Sequence, residues 1–128
     1  MNQLNDAKIL LVDDDLNFQK VTMFTLQKMG AHVVSAFDGG QALEWWEDGQ
    51  FDLILTDIRM PKMDGMALLR AIRRKDSEIP IILITAHGDI ELAVEALQSG
   101  ANDFLTKPFD RDRLHSKIVR CLKLMHLE

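Results

Sequence analysis

Three aspartates in succession, Asp13, Asp14 and Asp15, follow the run Ile-Leu-Leu-Val, and Asp57 follows Leu-Ile-Leu-Thr. Thr85 follows Ile-Ile-Leu-Ile, and Lys107, with Pro108 behind it, follows Phe-Leu-Thr. Each of these polar residues stands where an apolar run stops. If folding gathers those ends, carboxylates crowd together beside a hydroxyl and an ammonium. Like charges at short range are costly, so such a cluster calls for a cation. Oxygen donors alone select a hard divalent ion. Mg2+ characteristically takes one or two carboxylates, several waters and a phosphate. Metal and lysine together offset charge on the oxygens of a phosphoryl group in transfer. A carboxylate between them can itself be the nucleophile and become an aspartyl phosphate.

Taken singly, each residue has an ordinary reading. Asp15 reads as the N-cap of the helix that follows it, and Asp64 as another cap. Asp13 and Asp14 could be a solvated strand end, and Asp57 a turn residue ahead of Met60-Pro61. Lys107 could be a solvated lysine and Thr85 a strand-end hydroxyl. Their joint occurrence at the exits of apolar runs favours the chemical reading. Asp52 and Asp103 precede apolar runs, fall on the opposite edge and read as structural.

The elements that must position these residues follow from an alternation. Short apolar runs at Ile9–Val12, Val33–Ala36, Leu53–Leu55 with Thr56, Ile81–Ile84 and Phe104-Leu105 read as strands. Between them lie stretches with helical spacing. Leu16–Met29 is expected to bury Phe18, Val21, Thr25 and Met29 and to end at Gly30, with Met23 and Phe24 off the core face. Gln41–Asp48 carries Ala42, Leu43 and Trp46 together, which leaves Trp45 half exposed. A third helix starts at Asp64 and carries Leu68, Leu69 and Ile72. A fourth runs over Asp89–Ser99. The fifth, Asp110–Met125, carries Leu114, Ile118, Leu122 and Met125, with Val119, Leu124 and Leu127 off its core face. Continuous apolar strands alternating with amphipathic helices specify an α/β fold, a five-stranded parallel sheet covered on both faces. The doubly wound, flavodoxin-like order 2-1-3-4-5 fits five such units, although these residues alone do not dictate strand order. In that order the exits of the first and third strands are neighbours. His87, two positions after Thr85, reads as a solvated loop residue at the rim.

The chain has 128 residues, one domain's worth, with 47% apolar and 27% charged residues. No linker or repeat divides it, so residues 1–128 read as a single domain. A net charge of −5 argues against direct nucleic-acid binding. The lone Cys121 excludes an intrachain disulfide and fits a reducing cytoplasm. No apolar run approaches the ~18 residues of a membrane span, and no secretory signal is expected.

Four separated motifs carry a family resemblance: Leu-Leu-Val-Asp-Asp-Asp over 10–15, Thr-Asp-Ile-Arg-Met-Pro-Lys-Met-Asp-Gly over 56–65, Ile-Thr-Ala-His over 84–87 and Lys-Pro-Phe over 107–109. Together they resemble the receiver domain of two-component response regulators over essentially the whole chain. The resemblance implies the 2-1-3-4-5 fold and a signalling domain rather than an enzyme. It makes Asp57 the phospho-acceptor, and Asp13, Asp14, Asp57 and the backbone carbonyl of Arg59 the Mg2+ ligands. Thr85 becomes the switch hydroxyl, Lys107 the phosphoryl contact and Phe104 the switch aromatic, and the Lys107–Pro108 bond is implied to be cis. The implied partners are a sensor histidine kinase and an output domain or downstream protein, with room for a homodimer. The wording Asp-Ile-Arg-Met-Pro and Thr-Ala-His-Gly-Asp-Ile-Glu-Leu-Ala resembles more narrowly the receivers of nitrogen-regulation and dicarboxylate-transport activators. Two rivals stand beside this reading. One is a Mg2+-dependent phosphatase of the haloacid-dehalogenase kind, because Asp13 and Asp15 match its Asp-x-Asp spacing. The other is a flavodoxin, weakened by the lack of a phosphate-cradling loop after the first strand.

Overall fold

In a strand, successive side chains point to opposite faces, and here both faces are apolar. The computed structural model describes residues 4–86 and 88–125, with side chains through residue 123. Its elements are β1 (Lys8–Val12), α1 (Leu16–Lys28), β2 (His32–Ala36), α2 (Gly39–Asp48), β3 (Leu53–Asp57), α3 (Gly65–Arg73), β4 (Ile81–Thr85), α4 (Ile90–Gln98), β5 (Asp103–Thr106) and α5 (Arg111–Met125). The five strands are parallel and ordered β2-β1-β3-β4-β5, as anticipated. In β1, Ile9 and Leu11 enter one core layer with Leu26 of α1 and Leu114 and Ile118 of α5. Leu10 and Val12 enter the other, with Ala42 of α2, Leu68, Leu69 and Ile72 of α3 and Ala96 of α4. Among the described residues two helices therefore cover one face and three the other, and because every strand pair is parallel all five strand exits lie on one edge.

Sequence periodicity misplaces the buried stripe of α1. The residues that α1 fully buries are Gln19, Thr22 and Leu26, with Met29 at its C-cap; of the expected stripe Phe18 packs against the core and Thr25 is half-buried, while Val21 is 67% exposed. Met23 also packs against the core. The physical cause is Gln19. Its amide nitrogen reaches the carbonyl oxygens of Leu11 (3.1 Å), Asp13 (3.1 Å) and Ala36 (2.7 Å), backbone acceptors where β1 and β2 end. That anchoring rotates the helix by about one position, roughly 100°, from the most apolar stripe. Phe24 stays exposed.

Elsewhere the corrections are smaller. α2 begins at Gly39 rather than Gln41, because the Asp38 carboxylate accepts the Gln41 N–H at 2.8 Å. Trp46 is half-buried and Trp45 exposed. In α5 the buried set is Leu114, Ile118 and Cys121, with Leu122 at its margin, and Val119 packs against the core instead of lying off it. Burial pushes the Cys121 thiol up to about 11, so it stays an unreactive apolar group. The side chains of Leu124 and Met125, and residues His87 and Leu127, lie outside the described residues. Among the described residues, no helix is long and apolar enough to cross a membrane.

Candidate functional site at the carboxyl edge of the sheet

Beside the central strand β3, β1 lies between β2 and β3, so the connections from β1 and β3 diverge beyond their carboxyl ends and leave a crevice. Carboxylate oxygens of Asp13, Asp14 and Asp57 meet there, all within 4.8 Å of one another. Asp13 is fully buried, Asp57 partly buried and Asp14 exposed. The Asp15 N–H donates to Oδ1 of Asp13 at 2.8 Å, and the Lys107 ammonium donates to Oδ2 at 3.0 Å. The same ammonium lies 3.7 Å from Oδ2 of Asp57. It also sits 4.1 Å above the Phe18 ring, which meets Phe109 edge-on at 5.9 Å. Cation–π contact and carboxylates together place the charge of Lys107 over the cluster.

Burial first, and the neighbouring Asp13 carboxylate second, push the Asp57 acid up to about 6, while Lys107 and the Arg59 N–H pull the other way. That N–H donates to Oδ1 of Asp57 at 3.3 Å. Three converging carboxylates, one of them resisting ionisation, form the donor chemistry that a hard divalent cation satisfies. The residues present therefore fit Mg2+. The Arg59 backbone borders the cluster through its N–H.

Gly65 sets the position of Asp57 from behind. Its N–H donates to the Ile58 carbonyl at 2.8 Å, and a Cβ built on it would lie 2.2 Å from the carbonyl oxygen of Asp57. Only a residue without a side chain fits at that approach.

The remaining candidates take distinct places. Thr85 is fully buried at the end of β4, and its hydroxyl donates to the Leu105 carbonyl at 3.4 Å, towards β5. Its own carbonyl accepts the Lys107 N–H at 2.8 Å. Phe104 is half-buried against the α2–α3–α4 layer, beside Leu83 in register and under the Lys117 ammonium at 5.6 Å. The Lys107–Pro108 bond is cis. Asp15 and Asp64 cap α1 and α3, as read from the sequence. Two contributors to the geometry of this edge escape the sequence reading. Gln19 holds the backbone of Asp13, and the Arg59 guanidinium grips Asp89 with bonds of 2.9 and 3.1 Å. A buried glutamine and a long-range ion pair leave no periodic trace in a single sequence.

The Asp-x-Asp phosphatase reading fails here. The Asp15 carboxylate accepts the Asn17 and Phe18 N–H groups as a cap, and Asp13 is covered by Lys107. Comparison with known proteins points the same way. The family model described as "Response regulator receiver domain" matches residues 9–119. The transcriptional regulatory protein ZraR of Escherichia coli (strain K12) is 42% identical over 122 residues, covering 95% of this chain and 28% of that protein. The C4-dicarboxylate transport transcriptional regulatory protein DctD of Rhizobium meliloti (strain 1021) is 44% identical over 106 residues, covering 83% of this chain and 23% of that protein. The chain thus spans less than a third of these relatives. The crystal structure of the receiver domain of NtrX from Brucella abortus superposes with a TM-score of 0.86 at 38% identity, covering 90% of this chain and 98% of that one. The family model spans Asp13, Asp14, Asp57, Thr85 and Lys107, and together with these relatives it places the chain in the family of response regulator receiver domains, signalling domains of two-component systems.

Proposed function

We propose that Asp57 is the phospho-acceptor of this domain, taking a phosphoryl group from the phosphohistidine of a partner sensor histidine kinase. The observation that carries this reading is the crevice itself: one carboxylate at the exit of β3, between two further carboxylates and the Lys107 ammonium. Asp13, Asp14 and Asp57, joined by the backbone carbonyl of Arg59, would hold Mg2+. When bound, that ion supplies positive charge against the oxygens of the incoming group. Asp57 in its ionised form attacks phosphorus in line, the bond from phosphorus to the kinase histidine nitrogen breaks, and that nitrogen keeps the electron pair. Lys107 stabilises the charge gathering on the phosphoryl oxygens. Asp13 keeps the lysine aimed at that position, and the Phe18 ring lies under its ammonium.

Thr85 then turns its hydroxyl from Leu105 to the new oxygens, and Phe104 moves into the space released. Burying its ring contributes roughly 1.5–3 kcal/mol at most, enough to bias two states separated by a few kcal/mol. The face formed by α4, β5 and α5 carries the signal to an output module. ZraR and DctD are transcriptional regulatory proteins of which this chain matches less than a third. By that likeness residues 1–128 are one receiver domain of a longer cytoplasmic transcription regulator, able to pair as a homodimer and leaving DNA contact to another module.

Incubation with acetyl phosphate and Mg2+ tests the reading. One phosphoryl mass should be added, labile to base and hydroxylamine, blocked by chelation and absent from Asp57→Asn. Undiminished labelling of Asp57→Asn would move the acceptor elsewhere.

A further inference from the structure

Among the described residues, five helices each follow an aspartate, and four of those aspartates cap their own helix. Asp15, Asp38, Asp64 and Asp110 each accept a first-turn backbone N–H through the carboxylate. Asp89, at the same position before α4, accepts none. Its carboxylate is turned instead to Arg59, thirty residues earlier, with Nε to Oδ2 at 2.9 Å and Nη2 to Oδ1 at 3.1 Å. Arg59 stands two residues after Asp57 and touches it through the backbone N–H. Its side chain is 68% exposed, so no packing locks it on Asp89. The Asp57 carboxylate already acts on the Arg59 guanidinium through space.

A phosphoryl group on Asp57 carries about −1.5 to −2 charge and three acceptor oxygens, against a single charge on Asp89. The guanidinium fork suits phosphate and carboxylate alike, so the stronger anion wins it. We propose that Arg59 is a second cation for the phosphoryl group, held on Asp89 in the unmodified domain, and that its transfer frees Asp89 to cap α4. The proposal rests on Asp57 being the acceptor. In uptake from acetyl phosphate, an oxygen of ionised Asp57 bonds to phosphorus, and the bond from phosphorus to the acetate oxygen breaks. Acetate leaves with that electron pair, and no proton or co-reactant is consumed. The three non-bridging oxygens are what Arg59 meets. Asp89 is thus a positioning residue, restraining a catalytic arginine until a stronger anion arrives. Its release couples the chemistry to the first turn of α4 by a route separate from Thr85.

The test compares wild type, Arg59→Ala, Asp89→Asn and the double variant in acetyl phosphate and Mg2+, with uptake followed by intact mass. Asn cannot hold the ion pair but is a good N-cap. Asp89→Asn should take up phosphate ~5-fold faster and Arg59→Ala ~5-fold slower, the effect of about one exposed charge-assisted contact. The double variant should match Arg59→Ala, because Asp89 acts only through Arg59. Amide exchange gives a second readout. Beryllium fluoride should slow exchange in the first turn of α4 in wild type and not in Arg59→Ala, whereas Asp89→Asn should be slow before addition. Slower uptake in Asp89→Asn, or a double variant unlike Arg59→Ala, overturns the proposal. If Asp57→Asn blocks labelling while all three variants match wild type, this proposal alone falls. If Asp57→Asn labels, the acceptor assignment falls first.

Discussion

The two edges of the sheet carry the same kind of ion pair in different proportions. At the amino edge, Lys117 meets Asp103 at 2.8 Å, one ammonium for one carboxylate, and Asp52 accepts the Lys8 backbone N–H at 2.8 Å. At the carboxyl edge, among the described residues, Lys107 alone reaches a cluster of three carboxylates, one of them fully buried. The amino edge is balanced and holds its helix in place. The carboxyl edge is left with surplus negative charge, and that surplus is its capacity for chemistry. Similar bonds of similar length therefore serve different ends, and stoichiometry rather than bond length tells them apart.

Removing each lysine breaks the comparison most directly. Lys107→Met leaves Asp13 buried without its cation and should cost about 3–5 kcal/mol in urea unfolding. Lys117→Met should cost about 1 kcal/mol or less, because Asp103 can turn to water. Equal losses would mean that the two edges do not differ.

Metal sharpens the contrast next. Mg2+ at ~10-fold above its dissociation constant should raise the unfolding free energy of wild type by about 1.4 kcal/mol. Asp14→Asn should lose most of that gain, and Asp103→Asn should keep it.

A smaller effect follows from the raised acid of Asp57. A carboxyl whose folded value lies above its unfolded value contributes stability below about pH 4, and that contribution fades as pH rises through about 6. In chelator at pH 7, Asp57→Asn should be more stable than wild type by about 1 kcal/mol, allowing for solvent at the rim. The gap should close as pH falls to 4. A gap that widens on acidification would reverse the sign assigned to burial. Smallest is Thr85→Val, which keeps the shape and removes a hydroxyl whose bond to Leu105 is long at 3.4 Å. Stability should change by about 0.5 kcal/mol or less. Amide shifts on α4 and β5 induced by beryllium fluoride should nevertheless shrink. A full wild-type pattern would remove Thr85 from the relay.

What the sequence reveals follows from which forces are local. Strand exits are legible because an apolar run ends abruptly, so Asp13, Asp57, Thr85 and Lys107 announce themselves by position. Helix caps are legible at Asp15 and Asp64 for the same reason. Gln19 hides because its burial depends on carbonyls contributed by β1 and β2, which no helical period encodes. The sequence locates Asp89 at the start of α4, yet its carboxylate serves Arg59, a partner that only the fold brings near. The stripe of α5 departs from the apolar period at Cys121, where a small thiol packs as well as a larger apolar group.

The contact of Gly65 with the carbonyl of Asp57 also bears on where the chain tolerates a change of length. Two backbone pins close the loop between β3 and α3: Gly65 N–H on Ile58, and Met63 carbonyl on the Gly39 N–H at 2.9 Å. Between them the chain turns outward through Lys62, which holds a left-handed φ of 66°. Met60 packs against the core, so the tolerant stretch is Pro61–Lys62, where an extra residue lengthens an exposed arc and leaves both pins where they are. The same residue inserted between Met63 and Gly65 displaces the pins and carries Asp57 out of register with Asp13. Gene-level insertions scanned through this loop should therefore divide sharply, passing on one side of Met63 and failing on the other.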